Sequence, residues 1–242
     1  MYDFCVERFH ANQGHGIFIT FEGLDGCGKS TQMEKLAQAL RVEGRDVITT
    51  REPGGTPTGE KIRSVLLDSG TRHLSPLAEL ALMFAARAQH IEEVIVPALA
   101  AGKIVLSDRF TDSSEAYQGG GRELGSDAVL ALHEVLCGGL QPDLTILMDS
   151  DVAASVARAR RRNMAASSNG RDENRFERES QAFFGRVQAA YHAIATREQG
   201  RMVMVNARRP IPTVHAEILK SVQGLLSRSK ATAHHKKAPA RA

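Results

Sequence analysis

Five short runs of apolar and β-branched residues recur along the chain: Ile17 to Phe21, Val47 to Thr50, Ile104 to Ser107, Leu144 to Met148 and Met202 to Val205. Their apolar character is continuous, not alternating, as expected of strands covered on both faces. Between them lie longer stretches with helical spacing, at Ser30 to Val42, Pro57 to Leu67, Leu77 to Ala101, Ser126 to Leu136, Val152 to Arg162, Glu177 to Glu198 and Ile211 to Leu226. Several open on Ser, Asp or Pro, residues that favour helix starts. Strands alternating with crossover-length helices predict a doubly wound α/β fold, a five-stranded buried parallel sheet flanked by helices. No internal repeat is visible. Met1 to His15 has no clear periodicity and reads as a flexible leader, so the expected organisation is a leader over 1–15, one domain over 16–227 and a basic tail over 228–242.

Charge changes this picture little. The formal net charge is +3, but Arg228, Lys230, Lys236, Lys237 and Arg241 all lie in the last sixteen residues, where there is no acid, so the rest of the chain carries −2. A general nucleic-acid surface needs cations clustered on the folded face, so no nucleic-acid partner is expected. Cys5, Cys27 and Cys137 are scattered without CxxC spacing, arguing against a disulfide framework or a zinc site. No run approaches the roughly 18 apolar residues of a membrane span, and the first ten residues carry Asp3, Glu7, Arg8 and His10 in place of a signal-peptide core. The expectation is a cytoplasmic protein without a membrane partner.

The sharpest local signal is Gly23-Leu24-Asp25-Gly26-Cys27-Gly28-Lys29-Ser30, which fits GxxxxGK[ST] and falls between the first strand and the first long helix. Glycines let successive N–H groups turn inward, and the helix that follows adds its positive end, so nucleotide phosphates find donors in the backbone itself. These eight residues, with Thr31 after them, are the expected ATP-binding set. Lys29 would bridge the outer phosphates and Ser30 would ligate Mg²⁺. Asp25 is a carboxylate inside an anion cradle, and it needs a donor of its own: a sugar hydroxyl, hydrated Mg²⁺, or the backbone of its turn. Cys27 reads as a small residue tolerated in the loop, with thiol oxidation as a route to blocking the nucleotide.

Four further segments follow: Arg51-Glu52-Pro53-Gly54-Gly55 after the second strand, Phe84-Ala85-Ala86-Arg87 in a long helix, Asp108-Arg109-Phe110 ending the third strand, and Ala116-Tyr117-Gln118-Gly119-Gly120-Gly121. Together with Phe21-Glu22-Gly23-Leu24-Asp25, in this order and spacing, they closely resemble the thymidylate kinase family from about Ile17 to Leu226. The ends of strands two and three in a doubly wound sheet open onto the same crevice as the phosphate loop. Arg51, Arg63, Arg87 and Arg109 supply cations for a phosphate monoester, and the planar guanidinium fork suits two oxygens at once. The resemblance implies that dTMP is held by Glu52, Arg63, Phe84, Arg87, Arg109, Ser114, Tyr117 and Gln118. Arg87 and Gln118 would face the thymine, Tyr117 would crowd the sugar 2′ position, and either Met83 or Phe84 would pack on the base. Glu52 is expected to orient arginines or water on Mg²⁺, or to pair with Arg51.

Arg158, Arg160, Arg161 and Arg162 end one helix, and a polar stretch from Asn163 to Asn174 leads to Arg175-Phe176-Glu177. This reads as a lid over about 158–176 that closes over ATP and excludes water. The phosphate loop has Gly26 and Cys27 where some family members carry an arginine, so the lid must supply the charge. The expected catalytic set is Lys29, Asp25, Arg109, Arg158 and Arg162. The expected metal set is Ser30 with Asp108, which contacts Mg²⁺ through water or orients Arg109. The resemblance implies phosphorylation of dTMP to dTDP by ATP, for dTTP biosynthesis, in a homodimer. Another nucleoside monophosphate kinase and a nucleotide-dependent ATPase switch are the alternatives.

Overall fold

The structure is a computed structural model and describes residues 16–71, 74–167 and 175–235. Five strands, β1 (Ile17–Glu22), β2 (Val47–Arg51), β3 (Ile104–Asp108), β4 (Leu144–Asp149) and β5 (Met202–Asn206), form one parallel sheet in the order β2-β3-β1-β4-β5. β1 lies at the centre between β3 and β4: the chain first builds β2 and β3 on one side of it and then crosses to build β4 and β5 on the other. A crevice opens beyond its carboxyl end, where ligands of doubly wound sheets bind.

The helices, in chain order, are α1 (Lys29–Val42), α2 (Pro57–Leu67), α3 (Pro76–His90), α4 (Val96–Ala100), α5 (Thr111–Ser114), α6 (Ser126–Cys137), α7 (Val152–Ser167), α8 (Gln181–Arg197) and α9 (Ile211–His235). Local chemistry sets several starts. The side chains of Thr56, Ser75 and Ser180 each accept a backbone N–H three residues on, from Gly59, Ala78 and Phe183, and Pro57 and Pro76 occupy first turns where no N–H is needed. A π-helical segment, Ile91–Ile95, joins α3 to α4 just ahead of Pro97, and a second, Glu115–Gly121, continues α5.

Alternate side chains of β1 feed two layers. Ile17, Ile19 and Phe21 pack with Leu36 and Leu40 of α1 and Val214, Ile218 and Val222 of α9. Phe18 packs on the other face with Leu80 and Phe84 of α3, Val105 and Val129. A third cluster gathers Leu24, Tyr117, Leu147, Phe176, Phe183 and Tyr191 beside the crevice. Each fully buried aromatic or aliphatic side chain of this kind contributes about 1.5–3 kcal/mol.

Two expectations need correction. Five buried strands were expected, but only β1 is buried at every position; the edge strands β2 and β5 leave Thr49 and Arg51, and Met204 and Asn206, exposed. The helix expected to stop at Arg162 continues to Ser167. The remaining lid residues before Arg175, and the leader, lie outside the described residues, as does the tail beyond His235.

Candidate active site

Beyond Glu22 the chain curls through the glycine-rich loop into α1. Gly26 has φ 78° there, and a Cβ on it would lie 2.3 Å from the Ser155 carbonyl oxygen, so only glycine fits. Gly28, with φ 104°, delivers the chain to the helix N-terminus. The Lys29 side chain is buried and folds back over the loop, its Nζ donating to the carbonyls of Gly23 (3.1 Å) and Leu24 (3.0 Å). It stands 4.0 Å from carboxylate oxygens of both Asp25 and Asp108. The Ser30 hydroxyl donates to Asp108 Oδ2 at 3.1 Å, while Asp108 Oδ1 is buried without a hydrogen-bond partner. Leu24 and Cys27 turn into the core, and burial pushes the Cys27 thiol up, which keeps it protonated. Thr31 is exposed on the first turn of α1.

Arg109 directly follows β3, in the left-handed backbone region, φ 76°. An L-residue there is disfavoured by about 1–2 kcal/mol, so the surroundings must hold it. Its guanidinium donates to Asp25 Oδ1 (2.9 Å), Ser113 Oγ (2.9 Å), Tyr191 OH (3.2 Å) and Tyr117 OH (3.3 Å). It also lies 5.0 Å from the centre of the Tyr117 ring, a cation–π distance. Burial opposes ionisation of Asp25, but Arg109 and Lys29 outweigh it and hold the carboxyl well below the usual carboxylate range.

Arg87, from α3, is 2% exposed. Its Nε donates to Glu52 Oε2 at 2.7 Å, and its Nη2 donates to the Phe110 carbonyl (3.1 Å) and Ser114 Oγ (3.0 Å). Nη1 has no hydrogen-bond partner, and Arg87 lines the crevice. Glu52 places its other oxygen 2.9 Å from His90 Nδ1, and His90 Nε2 lies 2.6 Å from Thr50 Oγ1. Burial works against the Glu52 charge, yet Arg87 and His90 keep its carboxyl below the ordinary value. Arg63 donates to the Pro53 carbonyl at 3.0 Å. Gln118 Nε2 donates to Glu79, a wholly buried carboxylate that also receives Arg122 and, at 2.7 Å, Arg175.

These groups line one cavity: Asp25, Glu52, Arg63, Arg87, Arg109, Ser114, Tyr117 and Gln118 share its wall with Met83, Arg162, Phe176 and Glu177. On its outer side Arg158 donates to the Gly26 carbonyl at 2.7 Å, and Arg160 to the Glu177 carbonyl at 2.8 Å. The phosphate loop and a cation-lined acceptor cavity are thus neighbours, joined by the Asp25–Arg109 pair.

The family model for thymidylate kinase matches residues 21–218. The chain belongs to the thymidylate kinase family. It is 50% identical over 191 residues to the thymidylate kinase of Trichlorobacter lovleyi, covering 79% of this chain and 89% of that protein. With the thymidylate kinase of Bordetella pertussis it shares 49% identity over 217 residues, 88% of this chain and 98% of that one. A crystal structure of thymidylate kinase from Ehrlichia chaffeensis superposes with a TM-score of 0.68 at 33% identity, covering 86% of this chain and 98% of that chain. The P-loop NTPase fold is the one that this family shares.

In this chain the residues expected around the acceptor are brought together, with Phe84 and Arg51 as the exceptions. Phe84 is fully buried in the core beneath Arg87, whose guanidinium lies 4.7 Å from its ring, while Met83 stands on the cavity wall. A phenylalanine at that point serves both the second core layer and the cation above it. Of the arginines at the end of α7, Arg162 reaches the cavity wall and Arg158 reaches the phosphate loop. Arg51 does not enter the cavity and pairs with Glu60 at 3.0 Å on the surface. Sequence reasoning assigned no role to Glu22, Glu79, Ser113 or Tyr191. A buried carboxylate cannot be told from a surface one by residue type alone, although Glu79 on an otherwise apolar helical face was a signal.

Proposed function

We propose that the protein transfers the γ-phosphoryl group of ATP to dTMP, giving dTDP and ADP, as a step toward dTTP. The observation that carries this is the Asp25–Arg109 contact, which sets a phosphate-binding loop against a second cavity furnished with Arg63, Arg87 and Arg109. A hydrolytic switch has no use for a second set of cations.

No general base is required, since an acceptor phosphate oxygen is already anionic. Catalysis is then positioning of two mutually repelling anions plus stabilisation of charge on the group in transit. Lys29, now held by loop carbonyls, reaches the outer phosphates when they displace it. Arg158 and Arg162 flank the space between the two sites from α7 and supply charge there. Arg109 holds the acceptor phosphate, and Arg87, with a free Nη1, faces the base together with Gln118. The Tyr117 ring, packed among Phe176, Phe183 and Tyr191, is too confined to yield to a ribose 2′-hydroxyl.

Ser30 and Asp108 would hold Mg²⁺ with the phosphates, lowering the charge repulsion along the reaction path. Asp108 Oδ1, buried without a hydrogen bond, fits that role. Among the described residues no cluster of three or more His, Cys, Asp or Glu could hold a metal alone, in keeping with a cation that takes most of its ligands from phosphate and water. Among those residues too, no helix is long and apolar enough to cross a membrane; a cytoplasmic location is part of the same proposal. We further propose a homodimer. Exposed Leu77 on α3 and Val135 and Leu136 on α6 lie on packed neighbouring helices and support that assembly.

A coupled ADP-release assay with MgATP and a panel of nucleoside monophosphates tests the assignment. The expected result is turnover that depends on dTMP above all others. Preference for another monophosphate would overturn the acceptor assignment.

A further inference from the structure

Glu22 ends β1 immediately before the phosphate loop, is wholly buried, and is not part of the cavity wall. Its carboxylate nevertheless gathers three donors: Phe110 and Ser113, from the segment after β3 that forms part of that wall, and Tyr191 of α8 behind it. Oε1 accepts the Phe110 N–H at 2.7 Å; Oε2 accepts the Tyr191 hydroxyl at 3.0 Å and the Ser113 hydroxyl. Ser113 and Tyr191 are the same two side chains that receive Arg109 Nη1.

The backbone tells the same story. The Arg109 N–H is held by the Phe21 carbonyl at 2.9 Å, its carbonyl by the Ser107 hydroxyl at 2.8 Å, and the next N–H, that of Phe110, by Glu22. The left-handed turn at Arg109 is therefore clamped on both sides, and Glu22 supplies the clamp on its Phe110 side. We propose that Glu22 is a positioning residue for Arg109: through the Phe110 amide, Ser113 and Tyr191 it fixes both the left-handed turn and the direction of the guanidinium. The assignment rests on the acceptor phosphate binding at Arg109.

Burial, and after it the charge of Asp112, pushes the Glu22 carboxyl up to about 7, against the opposing pull of Arg109. The groups around it are Arg109 at the end of β3, Asp112 on α5, Tyr191 on α8 and, beyond Asp112 and paired with it at 2.8 Å, Arg201 ahead of β5. The ionised carboxylate accepts from Ser113 and Tyr191 and leaves their lone pairs to Arg109. Once protonated it becomes a donor toward one of them and competes with Arg109 for that oxygen.

The test compares wild-type protein with Glu22→Gln and Tyr191→Phe, varying dTMP at saturating MgATP and ATP at saturating dTMP, from pH 5.5 to 8.5. Gln stands in for the protonated acid. For Glu22→Gln the KM for dTMP should rise at least about tenfold above pH 7, while the KM for ATP stays within about twofold. The wild-type to variant ratio of kcat/KM for dTMP should fall toward one below pH 6. The dTMP phosphate titrates near pH 6 in every case, so it cancels in the ratio. A folded Glu22→Gln with unchanged KM for dTMP, or a ratio that ignores pH, would overturn the assignment. Should that variant not fold, Tyr191→Phe decides: a rise of about threefold in the KM for dTMP supports the relay, and no change overturns it. Absence of dTMP-dependent turnover in the wild-type protein would instead overturn the acceptor assignment on which this one rests.

Discussion

Asp25 of the phosphate loop and Arg109 at the end of β3 meet through a 2.9 Å ion pair between Oδ1 and Nη2. This explains a carboxylate inside an anion cradle: its partner is the arginine of the opposite site, with Lys29 Nζ 4.0 Å from the same oxygen. The loop that grips one anion thereby sets the angle of the cation that grips the other.

Replacing Asp25 by Asn keeps the shape and removes the charge. A hydrogen bond to a charged group contributes about 1.5–3 kcal/mol, so kcat/KM for dTMP should fall roughly tenfold to hundredfold. Steady-state kinetics with each substrate varied in turn checks this.

Met83 and Phe84 separate wall from core. Phe84→Ala should destabilise the fold by about 3–5 kcal/mol, the range for an emptied aromatic site, whereas Met83→Ala, half-buried on the cavity, should cost less than half of that. The KM for dTMP should rise several-fold in Met83→Ala. Thermal denaturation beside kinetics distinguishes the two.

The Arg87–Glu52 pair lies at 2%/3% side-chain exposure, so removing one partner strands a buried charge. Arg87→Ala should cost about 3–5 kcal/mol, lowering Tm on the order of 10 °C. The double variant Arg87→Met with Glu52→Gln should recover much of the Tm and none of the dTMP binding.

The sheet was legible because apolar runs mark it, and each run stopped one residue short. The missing residues are Glu22, Arg51, Asp108, Asp149 and Asn206, all polar and all at carboxyl ends of strands. Hydrophobic pattern excludes such residues from a strand, yet the crevice lies at those ends, and two of the five belong to the site. The stretch Thr111 to Gly121 was not legible as helix at all. Its serines and glycines read as loop, but Gly121 is where α8 approaches most closely: a Cβ there would meet the Phe183 ring at 2.5 Å. The phosphate loop was readable from spacing alone because backbone donors and glycines define it. The roles of Glu22 and Glu79 depend on partners 88 to 169 and 39 to 96 residues away, which no local pattern carries.

Glu22 also predicts a pH dependence of stability. Its folded value of about 7 stands above the ordinary 4.5, so the fold prefers the protonated acid. The stabilisation is complete below pH 4.5 and is lost as pH rises through 7, with a slope of at most about 1.4 kcal/mol per pH unit. His133, which burial pushes down to about 4, slopes the other way over lower pH in every variant and cancels on comparison. Relative to Glu22→Gln, the wild-type Tm should therefore decline between pH 5 and 8. A difference independent of pH would contradict it.

The central claim, that two facing anion sites pass a phosphoryl group between them, is tested most directly by a single-turnover quench with γ-labelled ATP, Mg²⁺ and dTMP. The predicted result is label in dTDP, abolished in Lys29→Ala and reduced by orders of magnitude in Arg109→Ala. Label that accumulates in inorganic phosphate at the same rate with or without dTMP would contradict it.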